Sequence, residues 1–162
     1  KMTTAREAAG HRQVTEAVHA EGGKIALQLL HAGRYSYHPL SVSASKSKSP
    51  ITPFSARGMR GGEIRSTIAD FARSAELAKR AGYDGVEIMG SEGYLINQFL
   101  APRTNRRTDE WGGTAQNRRR FAVEIVRAVR AAVGPDFIGI YRLSMLDLVP
   151  DGQSCVEICA LE

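Results

Sequence analysis

The stretch from Glu63 to Met89, EIRSTIADFARSAELAKRAGYDGVEIM, sets a helix, a stop and a strand in immediate succession. Ile64, Ile68, Phe71, Ala75 and Ala78 recur at helical spacing, which predicts a helix over residues 63–81. Gly82 supplies the stop, because glycine readily takes the left-handed backbone that ends a helix. Asp84-Gly85-Val86-Glu87-Ile88-Met89 then reads as a short strand.

The same unit repeats on either side. Upstream, a helix is predicted over His11–Ala20, with Val14, Ala17 and Val18 on one face, closed by Gly22-Gly23. It leads into Lys24–Leu30, an apolar run of the fully buried strand type. Downstream, Asn117–Val133 reads as a helix with Phe121, Ile125, Val126 and Val129 as its stripe. Gly134-Pro135-Asp136 turns that chain into a strand over Phe137–Leu143, and a last helix begins near Ser154. Strands alternating with helices predict an α/β fold with a parallel sheet. Residues 31–62 and 90–113 read as long polar loops, and each follows a strand, whereas the helix-to-strand turns are short. That asymmetry favours a barrel whose strand-end loops build the active site over an open doubly wound sheet. No glycine-rich dinucleotide turn follows any of the strands. A complete barrel takes about 250 residues. The expectation is therefore a partial (β/α)8 TIM barrel of about three consecutive βα units. Residues 1–162 are then an internal piece of one domain, with both ends of that domain outside the sequence.

Composition narrows the function classes. The chain is 43% hydrophobic and 24% charged, an ordinary balance for a soluble domain. It holds no run of about 18 apolar residues, so no membrane span is expected. Lys1–Gly10 lacks the apolar core of a secretory signal, which makes the cytoplasm the expected location. The net charge of +5 is spread along the chain without a basic stripe interleaved with aromatics, so nucleic acid is not an expected partner. Cys155 and Cys159 stand four apart with no third or fourth ligand nearby. They read as buried small hydrophobes, and no metal site is expected.

Few polar residues fall at the ends of the predicted strands: Gln28 and His31, Glu92 and Tyr94, Arg142 and Asp147. Gln both donates and accepts, as a pyrimidine edge requires. Arg supplies a fixed positive charge, and Tyr a proton donor. The structural alternatives stay open at this point. Gln28 serves equally as a hydrogen-bonding group inside a barrel, Arg142 as an ion-pair partner of Asp147 or Glu87, and Tyr94 as a packed ring with its hydroxyl at a rim.

The longer motifs carry a resemblance. Gln28-Leu29-Leu30-His31-Ala32-Gly33-Arg34 resembles the third-strand motif of the old yellow enzyme superfamily. Asp84–Glu87, Gly93-Tyr94-Leu95-Ile96-Asn97-Gln98-Phe99-Leu100, Asn105–Gly113, Asn117-Arg118 and Arg120-Phe121 resemble its fourth-strand region. The resemblance implies a barrel with FMN at its mouth, Gln28 on the pyrimidine edge, Arg142 on the N1/C2 carbonyl side and Tyr94 as proton donor. Ene reductases of the superfamily carry a His and a second His or Asn, three apart, just before the Gly-Tyr pair. Met89 and Glu92 stand there instead. With Tyr141–Asp147, these positions look like bacterial NADPH-dependent 2,4-dienoyl-CoA reductase, which implies an enoyl-CoA type of substrate. Arg103 matches a substrate-contacting position facing the CoA end, and Glu92 is a second substrate-binding candidate. The same resemblance implies that Tyr94 works with a His of a later strand. It also implies FAD and a 4Fe-4S cluster in a C-terminal region. The alternatives are another FMN oxidoreductase of the trimethylamine dehydrogenase or NADH:flavin reductase type, and a truncated, non-catalytic fragment.

Overall fold

The computed structural model describes residues 2–161. In chain order its elements are α1 (Ala5–Ala20), β1 (Ala26–Leu29), β2 (Val42–Ser43), β3 (Ser47–Lys48), β4 (Ser55–Gly58), α2 (Gly61–Arg80), β5 (Gly85–Met89), α3 (Leu95–Leu100), α4 (Ala115–Val133), β6 (Ile138–Arg142) and α5 (Cys155–Cys159). They fall into two compact units. Among the described residues the first comprises 2–29, 65–88 and 125–141, and the second 30–64, 89–124 and 142–161.

The first unit holds a parallel sheet in the order β1-β5-β6. β1 and β5 run in register from Ala26↔Gly85 to Leu29↔Ile88. β6 takes the same direction: at its start the Ile138 N–H donates to the Asp84 carbonyl at 3.1 Å, and at its end the Arg142 carbonyl accepts from the Gly90 N–H at 3.0 Å. Side chains alternate across a strand, so Leu27, Leu29, Val86 and Ile88 share one face and Ala26, Gln28, Gly85 and Glu87 the other. The first face is closed, with Val86 fully buried and Leu29 and Ile88 nearly so. The second is open: Ala26 and Gln28 are exposed, as are Ile138 and Ile140 on β6. The run 24–30, expected to be buried on both faces, is thus buried on one. Gly85 has a steric reason to be glycine, because a Cβ there would stand 2.5 Å from the Ile138 carbonyl oxygen.

Each helix-to-strand turn ends on a left-handed glycine: Gly22 (φ 73°), Gly82 (φ 90°) and Gly134 (φ 81°). After α2, Tyr83 N–H reaches back to the Ala78 carbonyl at 3.2 Å and Gly82 N–H to that of Lys79 at 3.1 Å, which satisfies carbonyls the helix end leaves unpaired. Asp84 then ties β5 to the upstream turn, accepting from the Ile25 N–H at 2.8 Å and meeting His19 Nε2 at 2.9 Å. The His19 contact, followed by the Ile25 N–H, holds the Asp84 carboxyl well below the usual carboxylate range.

The helix α1 starts six residues before the predicted boundary. Thr4 and Glu7 form a reciprocal capping box, a signature present in the sequence that the apolar periodicity does not report. Its buried face is Ala8 and Thr15, whereas Val14 of the expected stripe is exposed. Thr15 is drawn inward by a 2.8 Å hydrogen bond from its hydroxyl to the Ala81 carbonyl.

In the second unit the long stretch 31–62 is not a structureless loop. β2 and β4 pair in parallel and β3 and β4 antiparallel, forming a small sheet in the order β2-β4-β3. Strands as short as two residues leave no readable alternation. The stretch 90–113 likewise contains α3, all six residues of which are buried. A wholly buried helix has no polar face and so no stripe to detect. Phe99 of α3 packs on Phe121 of α4 at 4.2 Å between ring centroids, and Trp111 meets Phe121 edge-on at 6.5 Å. Arg118 is buried and donates to the carbonyls of Leu100 (2.9 Å) and Gly113 (2.7 Å), and it pairs with Glu157 of α5. Cys155 and Cys159, expected inside, are both exposed on α5, where Ile158 is the residue turned inward. No described helix is long and apolar enough to cross a membrane.

Candidate functional site

Polar side chains of a parallel α/β sheet gather where strands hand over to loops. In the first unit the C-terminal half of β1 presents Gln28 on the open face. Its register partner is Glu87, and the Gln28 amide donates to Glu87 Oε1 at 2.6 Å. The bond fixes which end of the amide faces Glu87 and leaves the carbonyl end of Gln28 as an acceptor. Glu87 is therefore bonded to Gln28, and it is not the partner of Arg142.

The other four candidates, Glu92, Tyr94, Arg103 and Arg142, belong to the second unit. The loop after β5 places two of them. Glu92 sits in left-handed backbone (φ 61°), which is uncommon for a residue with a side chain, and its N–H donates to Ser144 Oγ at 3.1 Å. The Glu92 carboxylate meets Arg142 at 3.0 Å, with both side chains about half exposed (51% and 50%). An ion pair so exposed contributes only about 0–1 kcal/mol, so its effect is to orient the guanidinium. Asp147, the other partner considered for Arg142, instead accepts from the Gln153 N–H at 3.1 Å and from Asn97 at 3.3 Å.

Tyr94 caps α3 with extended backbone (φ −72°, ψ 179°). Its half-buried ring meets that of Tyr35 edge-on, with centroids 5.9 Å apart. Met89 is buried and its sulfur accepts from Ser91 Oγ at 3.1 Å. A thioether has no proton to donate, so nothing at position 89 can grip a carbonyl oxygen.

A cleft of about 360 Å³ opens within this unit. Glu92 and Arg103 both line it, together with Arg34, Tyr35, Asn97 and the apolar Leu146 and Leu148. Arg103 is exposed and anchored at one end, where it donates to the Pro150 carbonyl at 3.2 Å. Arg34 stacks near Tyr35, with its guanidinium carbon 5.3 Å from the ring centroid, and its Nε is buried without a hydrogen-bond partner. The cleft therefore joins two guanidinium groups, the carboxylates of Glu92 and Asp147 and an apolar rim, so it offers Arg34 and Arg103 to an anionic group and the leucines to a hydrocarbon body.

Sequence reading missed Arg34, Tyr35, Asn97, Gln98 and Ser144. A signal existed for some of them. Arg34 closes the motif that opens at Gln28, and Asn97-Gln98 interrupts an otherwise apolar run, where a polar pair needs partners. Ser144 lies inside the Tyr141–Asp147 stretch that carries the resemblance, and for Tyr35 no pattern in the chain marks the position.

Comparison with known proteins gives the family context. A metal reductase from Desulforamulus reducens is 44% identical over 91% of this chain, and this chain spans 23% of that protein. N,N-dimethylglycine/sarcosine dehydrogenase from Chromohalobacter salexigens is 39% identical over 87% of the chain, which spans 21% of it. The structure of a 2-naphthoyl-CoA reductase in complex with 2-naphthoyl-CoA superposes on 99% of the chain with a TM-score of 0.94 and 32% identity, and the chain covers 27% of it. Morphinone reductase in complex with tetrahydroNAD superposes on 86% of the chain with a TM-score of 0.81 and 39% identity, with 44% of that protein covered. The chain thus spans roughly a quarter to under half the length of these relatives and matches part of an old yellow enzyme barrel. The family profile of these flavin oxidoreductases matches from residue 2 to residue 162, and the chain accordingly belongs to the NADH:flavin oxidoreductase / NADH oxidase family.

Proposed function

We propose that the protein containing this chain is an FMN-dependent oxidoreductase that reduces an activated C=C bond, most specifically that of a 2,4-dienoyl-CoA, with electrons from NADPH. The observation that carries the substrate class is the strand-end pair Met89 and Glu92. A buried thioether and a carboxylate stand where a simple enone reductase needs donors for a carbonyl oxygen. A thioester substrate must then be held from its other end, and the cleft offers Arg103 and Arg34 for an anionic group and Leu146 and Leu148 for an acyl chain.

Gln28 and Arg142 are each proposed as FMN contacts, on the chemistry of each side chain taken by itself. Gln28 keeps an acceptor and a donor together on an exposed strand position, as an imide edge requires, and Arg142 offers a fixed cation. Each is oriented by a carboxylate, Glu87 and Glu92 respectively. When bound, FMN supplies the electron pair for the reduction, as a hydride equivalent. Tyr94 supplies the proton to the neighbouring carbon. A phenol is a weak acid, with an ordinary pKa of about 10. The proposal therefore includes a histidine from elsewhere in the protein as its partner, together with FAD and a 4Fe-4S cluster in a C-terminal region and a cytoplasmic location.

A second reading, another FMN oxidoreductase of the family, draws on one feature: the Glu92 carboxylate at the cleft also suits a cationic amine. One experiment separates the two. The protein is purified at native length, its flavin and iron are measured, and turnover is compared on 2,4-dienoyl-CoA and on N,N-dimethylglycine. FMN, FAD and about four irons per chain with turnover of the dienoyl-CoA support the first reading. Turnover of the amine alone, or FMN without iron, overturns it.

A further inference from the structure

The mechanism above leaves the polar pair Asn97-Gln98 without a role, although both side chains are almost fully buried, Gln98 at 1% and Asn97 at 5%. Their partners are specific. The Gly93 N–H donates to Asn97 Oδ1 at 2.7 Å, and the Gly93 carbonyl accepts from Gln98 Nε2 at 2.6 Å. Two consecutive side chains of α3 thus hold both polar groups of the residue that precedes Tyr94. The other end of the Gln98 amide, Oε1, accepts the Arg34 N–H at 3.2 Å. One carboxamide therefore bridges the loop that follows β1 to the loop that follows β5.

The fit around that bridge is close on both sides. A Cβ on Gly33 would lie 2.3 Å from Gln98 Oε1, and a Cβ on Gly93 would lie 3.0 Å from the Tyr35 ring. Both glycines carry positive φ, 59° and 75°. The Tyr35 and Tyr94 rings that touch edge-on are carried by the two loops the amide joins. Leu95 N–H donating to the His31 carbonyl at 3.0 Å adds a second tie between the same loops.

From this geometry we infer that Gln98 is a positioning residue for Tyr94: its carboxamide, through the Gly93 carbonyl and the Arg34 N–H, sets where the Tyr94 ring and hydroxyl stand. Gln98 also lines the cleft, but its amide oxygen and nitrogen are both bonded to backbone groups, and it transfers no proton. The inference rests on the reading of Tyr94 as proton donor, and its test separates the two.

The protein at native length is prepared with 3-fluorotyrosine at position 94, in the unmodified sequence and as Gln98→Met and Gln98→Glu. Gln98→Met keeps the length and removes both hydrogen bonds. Gln98→Glu keeps the acceptor for Arg34 and sets a carboxylate against the Gly93 carbonyl. The fluorine resonance reports the surroundings of the ring without any turnover, and it is expected to shift or split in both variants. Stopped-flow then divides the reaction. Flavin reduction by the nicotinamide is expected to stay within about twofold, while substrate reduction slows at least tenfold with a larger solvent isotope effect. In Gln98→Glu the defect is expected to shrink as pH falls, because the introduced carboxyl, once protonated, again donates to the Gly93 carbonyl. An unmoved fluorine resonance together with unimpaired substrate reduction overturns the inference. So does a loss equal in both half-reactions with no recovery at low pH, since that marks a general structural role. Should Gln98→Met not retain flavin, the pH recovery of Gln98→Glu decides alone. A Tyr94→Phe protein that still reduces substrate at the original rate sinks the proton-donor reading, while the fluorine shift continues to decide whether Gln98 positions the ring.

Discussion

At the scale of single residues, the strand-end positions divide by what their side chains can exchange. Tyr94 has a proton to give, and its replacement by Phe keeps the ring that packs on Tyr35. If Tyr94 is the proton donor as proposed, Tyr94→Phe slows C=C reduction by about 10²–10⁴, the usual share of a general acid, while flavin reduction keeps its rate. Single-turnover mixing of the reduced enzyme with substrate measures this directly. Gln28→Leu removes an amide proposed to contact the flavin, together with its bond to Glu87. It is expected to weaken FMN retention by about tenfold, the equivalent of one lost hydrogen bond of about 1.4 kcal/mol, read by titrating the apoprotein with FMN. Gln28, Glu92, Tyr94 and Arg142 were legible as candidates because polar side chains at strand ends stand out against apolar runs; their roles belong to the proposal. The pairing Glu92–Arg142 was not, because it depends on the left-handed turn at Glu92, which no periodicity encodes.

At the scale of elements, legibility followed amphipathicity. α2 and α4 were readable from their stripes, and Ile64, Phe71, Ala75, Phe121, Ile125 and Val129 are indeed buried, whereas Val126 of the expected α4 stripe is exposed. α3 and the β2-β4-β3 sheet were hidden, the first because it is buried all round and the second because its strands are too short. Two substitutions test how elements are joined. Gly85→Ala forces a methyl into the β5–β6 contact and is expected to destabilise by about 1–3 kcal/mol, as overpacking does. Arg118→Met leaves Glu157 without its cation and two carbonyls without their donor, and about 3–5 kcal/mol is expected to be lost. Urea unfolding of the native-length protein measures both, and a change under 0.5 kcal/mol in either would contradict the packing described.

At the scale of the whole molecule, the open sheet face decides behaviour. Ile138 and Ile140 are exposed, and β1 and β6 each pair on one side only among the described strands. Unpaired edges and uncovered apolar faces promote association. The 162-residue chain expressed alone is expected to bind a hydrophobic dye and to retain no flavin; a monomeric yellow protein of this length would refute that. Acid acts on the second unit through Glu63, whose carboxyl is held down to about 2 from its ordinary 4.5 by the Arg57 guanidinium and then the Arg60 N–H. A carboxyl with a lowered folded value stabilises above its unfolded value and loses that contribution as pH falls toward the folded one. Stability is therefore expected to drop between pH 4.5 and about 2, less steeply in Glu63→Gln, as followed by thermal melts across that range.

The thrice-used joint at Gly22, Gly82 and Gly134 bears on recombination among relatives. Because each helix meets its strand through the same left-handed residue, a crossover placed there splices like geometry to like. What changes hands is a strand, the loop that follows it and the next long helix, so chemistry travels as one cassette and the joint is left as it was found. Chimeras cut at these glycines are expected to keep flavin while exchanging substrate preference, and chimeras cut within the loop after β5 are expected to lose both.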